Sequence, residues 1–395
     1  MPLAVYLLGL AVFAQGTSEF MLAGLLPEIA ADLGVSIPDA GLLISAFALG
    51  MLVGGPLLGV LTLRWPRRTS LLTFVAVFVV AHVAGALTAS YGVLLATRIV
   101  AAFAYAGFWA VTAVTVVGMV PSNARGKALS IVTGGLTIAT ILGVPAGTFV
   151  GQHFGWRAAF WAVTAATALT AIGLPATVPG GRLTGESAPD LRRELRTMAN
   201  PRLWLAYGMT GLSAGSVVVT FSYLGALLTD TTGLDESWVP GVLALYGVGA
   251  LIGITIGGRV ADARPFGTLY TGAVGIIVVS VLLALTLTIA PAVVVLVFFL
   301  GFFGFFVNPA LNVRIYSIAG EARTLAGATV SSAFNIGVTV APWLGGLAIG
   351  AGLGYPAVAW TGAALGVVTL ATVPLASALG RHPRDADPAP SLTAT

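Results

Sequence analysis

The chain contains no cysteine, which excludes disulfides, thiol catalysis and thiolate metal centres. Charge is nearly as scarce: 8% of the 395 residues are Asp, Glu, Lys or Arg, against roughly a quarter in a soluble domain. There are three histidines and no H-E-x-x-H or G-x-x-x-x-G-K-[ST] sequence. Nothing therefore marks a metalloprotease or a nucleotide-driven pump. What fills the chain is apolar: 57% hydrophobic residues and a mean hydropathy of +0.99. A soluble fold has nowhere to hide that surface, whereas a bilayer acts as its solvent. The 51 glycines suit close helix contacts inside a membrane. The net charge of +4 could point to nucleic acid, but the charges cluster in short stretches between apolar runs, where topology explains them better.

A spanning helix needs about 20 apolar residues. Twelve such runs are expected, at 3–27, 39–62, 69–89, 91–119, 128–151, 157–178, 203–229, 238–261, 266–289, 291–316, 325–351 and 356–379. The first is too long for a signal-peptide core and lacks basic residues before it, so it is read as a retained helix. Arg64, Arg67, Arg68, Arg125, Lys127, Arg192, Arg193, Arg259, Arg314 and Arg381 fall on one side. The other side holds Arg157 and the acids Glu28, Asp32, Asp39, Asp230, Asp235 and Glu236. The positive-inside rule then places both termini in the cytoplasm. The polar stretch 179–202 is a linker, with a short surface helix expected from Leu191 to Met198. It separates a six-helix bundle at 1–178 from a second at 203–379, and 380–395 is a tail without the composition to fold.

The two halves repeat. At an offset of 199, Gly50, Gly54 and Gly59 fall on Gly249, Gly253 and Gly258, Phe47 on Tyr246, Trp156 on Tyr355 and Trp161 on Trp360. Parallel six-helix repeats around a central site are a transporter architecture. Gly59 to Arg68 and Gly258 to Pro265 resemble the major facilitator loop signature G-x-L-A-D-R-x-G-R-R. Leu63 and Pro66 depart from it in the first copy, whereas Asp262 keeps the acid in the second. Arg98, continuing to Gly107, resembles the arginine motif of the family's fourth helix. Gly143-Val-Pro145-Ala-Gly147 resembles the fifth-helix signature of drug/proton antiporters. Gly16-Thr17-Ser18-Glu19-Phe20 through Ser36 looks like the start of the 12-helix drug:proton antiporter group. Leu8 to Gly24, Trp65 to Arg68 and Leu325 to Gly346 look like its actinobacterial chloramphenicol-resistance exporters.

The resemblance implies an all-α membrane protein of the major facilitator fold, with two pseudo-symmetric six-helix bundles, in the bacterial cytoplasmic (inner) membrane. It implies chloramphenicol efflux driven by protons, with no cofactor, metal or nucleic-acid partner. Composition and spacing alone imply only a secondary transporter, and export of sugars or nucleosides stays open. A membrane enzyme would need a catalytic constellation, and a sensor a sizeable soluble domain; neither is visible.

At 1.5 Å per helical residue, Glu19 lies roughly 12 Å below the end of its run, and Arg98 and His82 about 10 Å below theirs. An ionisable residue at such depth is a functional-site hypothesis by default. The positions equivalent to Glu19 and Arg98 in the second half are Val218 and Val297, so proton handling is expected in the first half alone. Glu19 would load and release the proton and Arg98 would tune it; a structural Glu–Arg pair is the rival reading. His82 would be a relay or a packed histidine. Substrate contacts are expected from Gln15, Glu19, Tyr105, Trp109, Tyr223, Tyr246, Phe302 and Asn335, each of which could instead pack between helices. Gating is expected from Arg64, Arg68 and Asp262, and from Gly143, Pro145 and Gly147 through close packing. Gly16, Thr17 and Ser18 are read as small neighbours that let other groups come near Glu19. The functional unit is expected to be a monomer.

Overall fold

The computed structural model describes residues 1–62, 65–180, 197–261, 263–319 and 323–380. Within them every regular element is a helix, and twelve helices are long and apolar enough to cross a membrane. These are α1 (Leu3–Gly24), α2 (Ile37–Leu58), α3 (Arg67–Leu87), α4 (Tyr91–Gly118), α5 (Arg125–Phe154) and α6 (Trp156–Thr177). The second half supplies α7 (Pro201–Ser222), α8 (Glu236–Ala261), α9 (Pro265–Thr286), α10 (Ala290–Ala319), α11 (Thr329–Leu353) and α12 (Pro356–Ala378). Helices satisfy every backbone group within their own segment, which the hydrocarbon demands. Leu10, Val80, Ile172, Leu285 and Val367 are exposed on the outside of the bundle, where lipid is their solvent. Arg64, Asp262, most of the linker and the tail from Arg381 lie outside the described residues, so the expectations placed on them have no structural counterpart.

The repeat is built into the packing. Gly50 and Gly54 of α2 press on the backbone of α4 at Ile99 and Phe103. In the second half, Gly249 and Gly253 of α8 press on the carbonyls of Phe298 and Phe302 in α10, each position displaced by the same 199 residues. A β-carbon at Gly249 or Gly253 would collide with those oxygens, so the backbones meet only because side chains are missing.

Twelve crossings put both termini at one end of the molecule; the opposite end is called distal here. At the distal end, Trp156 Nε1 donates to Asp32 at 3.1 Å and Arg157 pairs with the same carboxylate at 2.6 Å. In the second half, Tyr355 donates its hydroxyl to Asp230 at 2.9 Å. At the other end, Arg68 Nε donates to the Val178 carbonyl at 3.1 Å, and Arg314 donates to the Ala376 carbonyl at 2.7 Å. Arg68 therefore ties α3 to the end of α6 within its own bundle.

The bundles meet along α2 and α11, and through the distal half of α5 against α8. In α5, Arg125–Ile138 packs chiefly on α1 and α4 of its own half, and the contact with α8 begins at the π-type turn Ala139–Gly143. There Gly247 of α8 abuts the Ile141 backbone. Both α1 and α7 break near the distal end. Regular helix in α1 stops at Phe20 and continues as a 3-10 turn, Met21–Gly24. Regular helix in α7 stops at Ser222, and just beyond it Gly225 touches the Ala23 carbonyl of α1.

Candidate functional site

The break in α1 follows Glu19 directly, and the last turn before it carries the site. Carbonyls in a final helical turn lack intrahelical partners. Arg98 of α4 takes one of them, donating to the Ser18 carbonyl at 2.8 Å, and donates also to Ser18 Oγ at 2.7 Å. Its guanidinium carbon lies 4.1 Å from the centre of the Phe47 ring of α2. A buried arginine at such a ring gains cation–π attraction. His82 of α3 places Nε2 2.7 Å from the same Ser18 Oγ, and Nδ1 3.1 Å from the Phe78 carbonyl. Its ring stacks on Phe78 with centroids 4.0 Å apart. Arg98 and His82 are each 1% exposed and Ser18 is fully buried.

The three ionisable residues of the first half thus converge on one turn of α1, as the depth argument expects. The guanidinium's hydrogen bonds go to Ser18; the Glu19 carboxyl, 6% exposed, makes no hydrogen bond or salt bridge with the described residues, but the Arg98 charge is near enough to act on it. Ser18 is the hub rather than a spacer. A serine in an apolar run carries no motif, so only one signal could have found it: a buried arginine requires acceptors, and the α1 layer has few.

Gln15 lies one turn earlier in α1, fully buried, with neither amide atom partnered among the described residues. Tyr105 is buried between Phe47 and Phe78 and directs its hydroxyl toward Gly16. Gly143 and Gly147 of α5 bring that helix against Thr17 and Met21, with Pro145 buried between them, so the fifth-helix glycines flank the turn that bears Glu19.

Between the bundles lies a narrow cleft whose free volume is about 20 Å³, room for about one water. Phe20 and Thr140 line it from the first half, and Val218, Phe221, Tyr246, Phe305, Asn308 and Phe334 from the second. Val218, the repeat equivalent of Glu19, lines this space, whereas the first half presents Phe20 there and Glu19 lies behind it. Tyr246 lines the cleft, its ring centroid 4.4 Å from that of Phe221. Phe302 does not line it: its ring stacks with Phe306, centroids 5.7 Å apart, and helical geometry hands the cleft to Phe305 instead. Trp109 packs in the apolar cluster around Val12 and Phe74. Tyr223 seals the distal end. Its ring fills the space left by Gly41, Gly345 and Gly346, and its hydroxyl donates to the Pro342 carbonyl at 2.7 Å. Asn335 donates to Ser331 at 2.9 Å, and its Oδ1 is buried without a partner beside the cleft residue Phe334. A larger groove between α3 and α4, lined by Val77, Val80, Val93 and Val100, is apolar and belongs to the lipid-facing side. No cluster of His, Asp and Glu suited to a metal occurs among the described residues.

Comparison with known proteins gives a consistent picture. The family described as Major Facilitator Superfamily matches residues 8–329. A chloramphenicol resistance protein of Streptomyces lividans is 41% identical over 94% of this chain and 95% of its own length. The inner membrane transport protein YdhP of Escherichia coli (strain K12) is 34% identical over 93% of this chain and 94% of its own. Among solved structures, a bacterial homologue of the human lysosomal transporter Spinster in an inward-facing, unoccupied conformation superimposes with a TM-score of 0.72. It shares 19% identity and covers 95% of this chain and 94% of that one.

Proposed function

The chain belongs to the major facilitator superfamily and is a multi-pass transporter of the bacterial inner membrane, not an enzyme; from that premise we propose that it exports chloramphenicol in exchange for protons and so confers resistance to that antibiotic. Similarity to the S. lividans resistance protein along nearly the whole chain supports the substrate. The observation that supports the coupling is Glu19: a carboxyl buried at the break of α1 that makes no hydrogen bond or salt bridge among the described residues, with the Arg98 charge acting on it. An acid at that depth is costly to keep and marks a proton path.

The cycle needs no nucleotide. The drug enters the cleft from the cytoplasm, where the positive-inside rule puts the termini. Five aromatic rings, Phe20, Phe221, Tyr246, Phe305 and Phe334, offer walls to a neutral aromatic amphiphile, and Thr140 and Asn308 offer a few polar contacts. Sites of this kind are mostly apolar with a few placed polar groups. A sugar or nucleoside exporter would present denser amides and hydroxyls, so the lining favours the drug reading. The bundles 1–178 and 203–379 then rock about their shared seams, and Glu19 takes its proton on one side and gives it up on the other. One chain completes the cleft, so the working unit is a monomer.

Expression in a sensitive bacterial host should raise chloramphenicol tolerance, and proteoliposomes with an imposed pH gradient should accumulate the drug. Glu19→Gln should retain drug binding and lose gradient-driven uptake. Wild-type coupling in that variant would remove Glu19 from its role, and no tolerance together with no gradient-driven uptake in the wild type would remove the function itself.

A further inference from the structure

The hydrogen bonds around Ser18 have a direction. Arginine only donates, so Ser18 Oγ accepts from Arg98 at 2.7 Å. The serine's own hydrogen is then left for His82 Nε2, also at 2.7 Å. The other ring nitrogen, Nδ1, faces the Phe78 carbonyl at 3.1 Å, and a carbonyl only accepts. The network thus assigns His82 as the Nδ1–H tautomer, accepting at Nε2. Arg98 adds its bond to the Ser18 carbonyl at 2.8 Å, so one residue holds the guanidinium by side chain and by backbone. The geometry is a two-point fork on the residue next to Glu19, and Glu19 takes no part in it.

We propose that Ser18 is a positioning residue: it holds the Arg98 guanidinium off the Glu19 carboxyl while the distal end is closed, and so sets the pH at which drug and proton exchange. This rests on the coupling role proposed for Glu19. The reasoning is electrostatic and local. Adjacent α-carbons are about 3.8 Å apart, so losing the hydroxyl leaves the guanidinium on the backbone carbonyl alone and lets it pivot toward the neighbouring carboxyl without moving a helix. A guanidinium close to a carboxyl favours its ionised form and drives the proton off to water. The fork lies just before the break of α1, where Gly225 of the second bundle touches the Ala23 carbonyl, so parting the bundles at the distal end releases the turn that carries it. Other titratable groups at the cluster are His82 on α3 and Tyr105 on α4; α2 and α6 present Phe47 and Phe160, which carry no proton.

The test follows chloramphenicol-evoked proton release from the purified full-length protein across pH. Ser18→Ala should move the midpoint of release down by about one pH unit, with chloramphenicol still bound at acidic pH. Ser18→Thr, which keeps the hydroxyl, should return the midpoint toward wild type. A wild-type midpoint in Ser18→Ala, or an equal displacement in both variants, overturns the proposal. Should the variants fail to fold, the wild type labelled with ¹⁵N-histidine decides: the His82 signal should show the Nδ1–H tautomer and change when chloramphenicol binds. An Nε2–H tautomer, or no response to the drug, overturns it. If wild type binds drug but releases no protons, the coupling reading falls, and the ¹⁵N signal still judges the fork separately.

Discussion

Arg98 shows how much of a buried site is set by acceptor supply. Its charge was legible as a functional candidate from depth alone, and so was its meeting with α1. Its actual partner was not, because a serine hydroxyl and a last-turn carbonyl leave no mark in a hydropathy pattern. A second residue-scale consequence concerns Glu28, in the short helix Leu26–Leu33 beyond the membrane span. Burial pushes its carboxyl from 4.5 up to about 6, its own backbone hydrogen bond opposes this, and the Glu236 charge adds to the rise. A carboxyl with a raised value favours the closed distal end below its ordinary value, and loses that contribution as pH climbs through about 6. Distal opening should therefore increase between pH 4.5 and about pH 6, the window that shift defines. Because the chain has no cysteine, one placed at Val218 reports on it cleanly. Labelling from the distal side should rise with pH in the wild-type background and stay flat with Glu28→Gln; a parallel rise in both would exclude Glu28.

At the scale of elements, the helices and their glycine-lined contacts were readable in advance, with ends good to a few residues. Length and hydropathy decide them, and the 199-residue offset reappears in the α2–α4 and α8–α10 contacts. The breaks were not readable. Neither Met21–Gly24 nor the π-type turn Ala139–Gly143 shows in apolar periodicity, although a proline closely follows each, Pro27 and Pro145, and removes a backbone donor from the turn before it. The choice between Phe302 and Phe305 belongs here too: in a run of phenylalanines, only the rotation of α10 decides which ring faces the cleft. Gly253→Leu should collide with the Phe302 carbonyl and either lower the thermal midpoint by several degrees or abolish expression. Fluorescence-detected melting of the purified protein measures it. Tyr223→Phe keeps the ring in its glycine cradle and removes the hydroxyl bond to Pro342. A buried carbonyl losing one partner costs about 1–3 kcal/mol, so distal labelling at Val218 should increase while melting changes little.

The whole molecule is two bundles pressed together at one end. Seams at α2–α11 and α5–α8 carry the closure, and the first half of α5 stays with its own bundle. Gly247→Leu would collide with the Ile141 backbone where α5 and α8 touch, so it should part this seam and raise distal labelling at Val218. Unchanged labelling would mean that this seam does not carry the closure. Asymmetry at this scale was legible: charge in the first half, valines at the matching positions of the second.

The distal latches carry a record of ancestry. Trp156 and Tyr355 occupy the same place in the two halves, and each reaches an aspartate at the end of the first helix of its own bundle. One uses an indole nitrogen and the other a phenol oxygen, so after the halves diverged the bond persisted while the chemistry making it changed. Inheritance has preserved an interaction here rather than a residue. Trp156→Tyr should accordingly be a tolerated exchange, and Trp156→Phe, which keeps the ring and removes the donor, a harmful one.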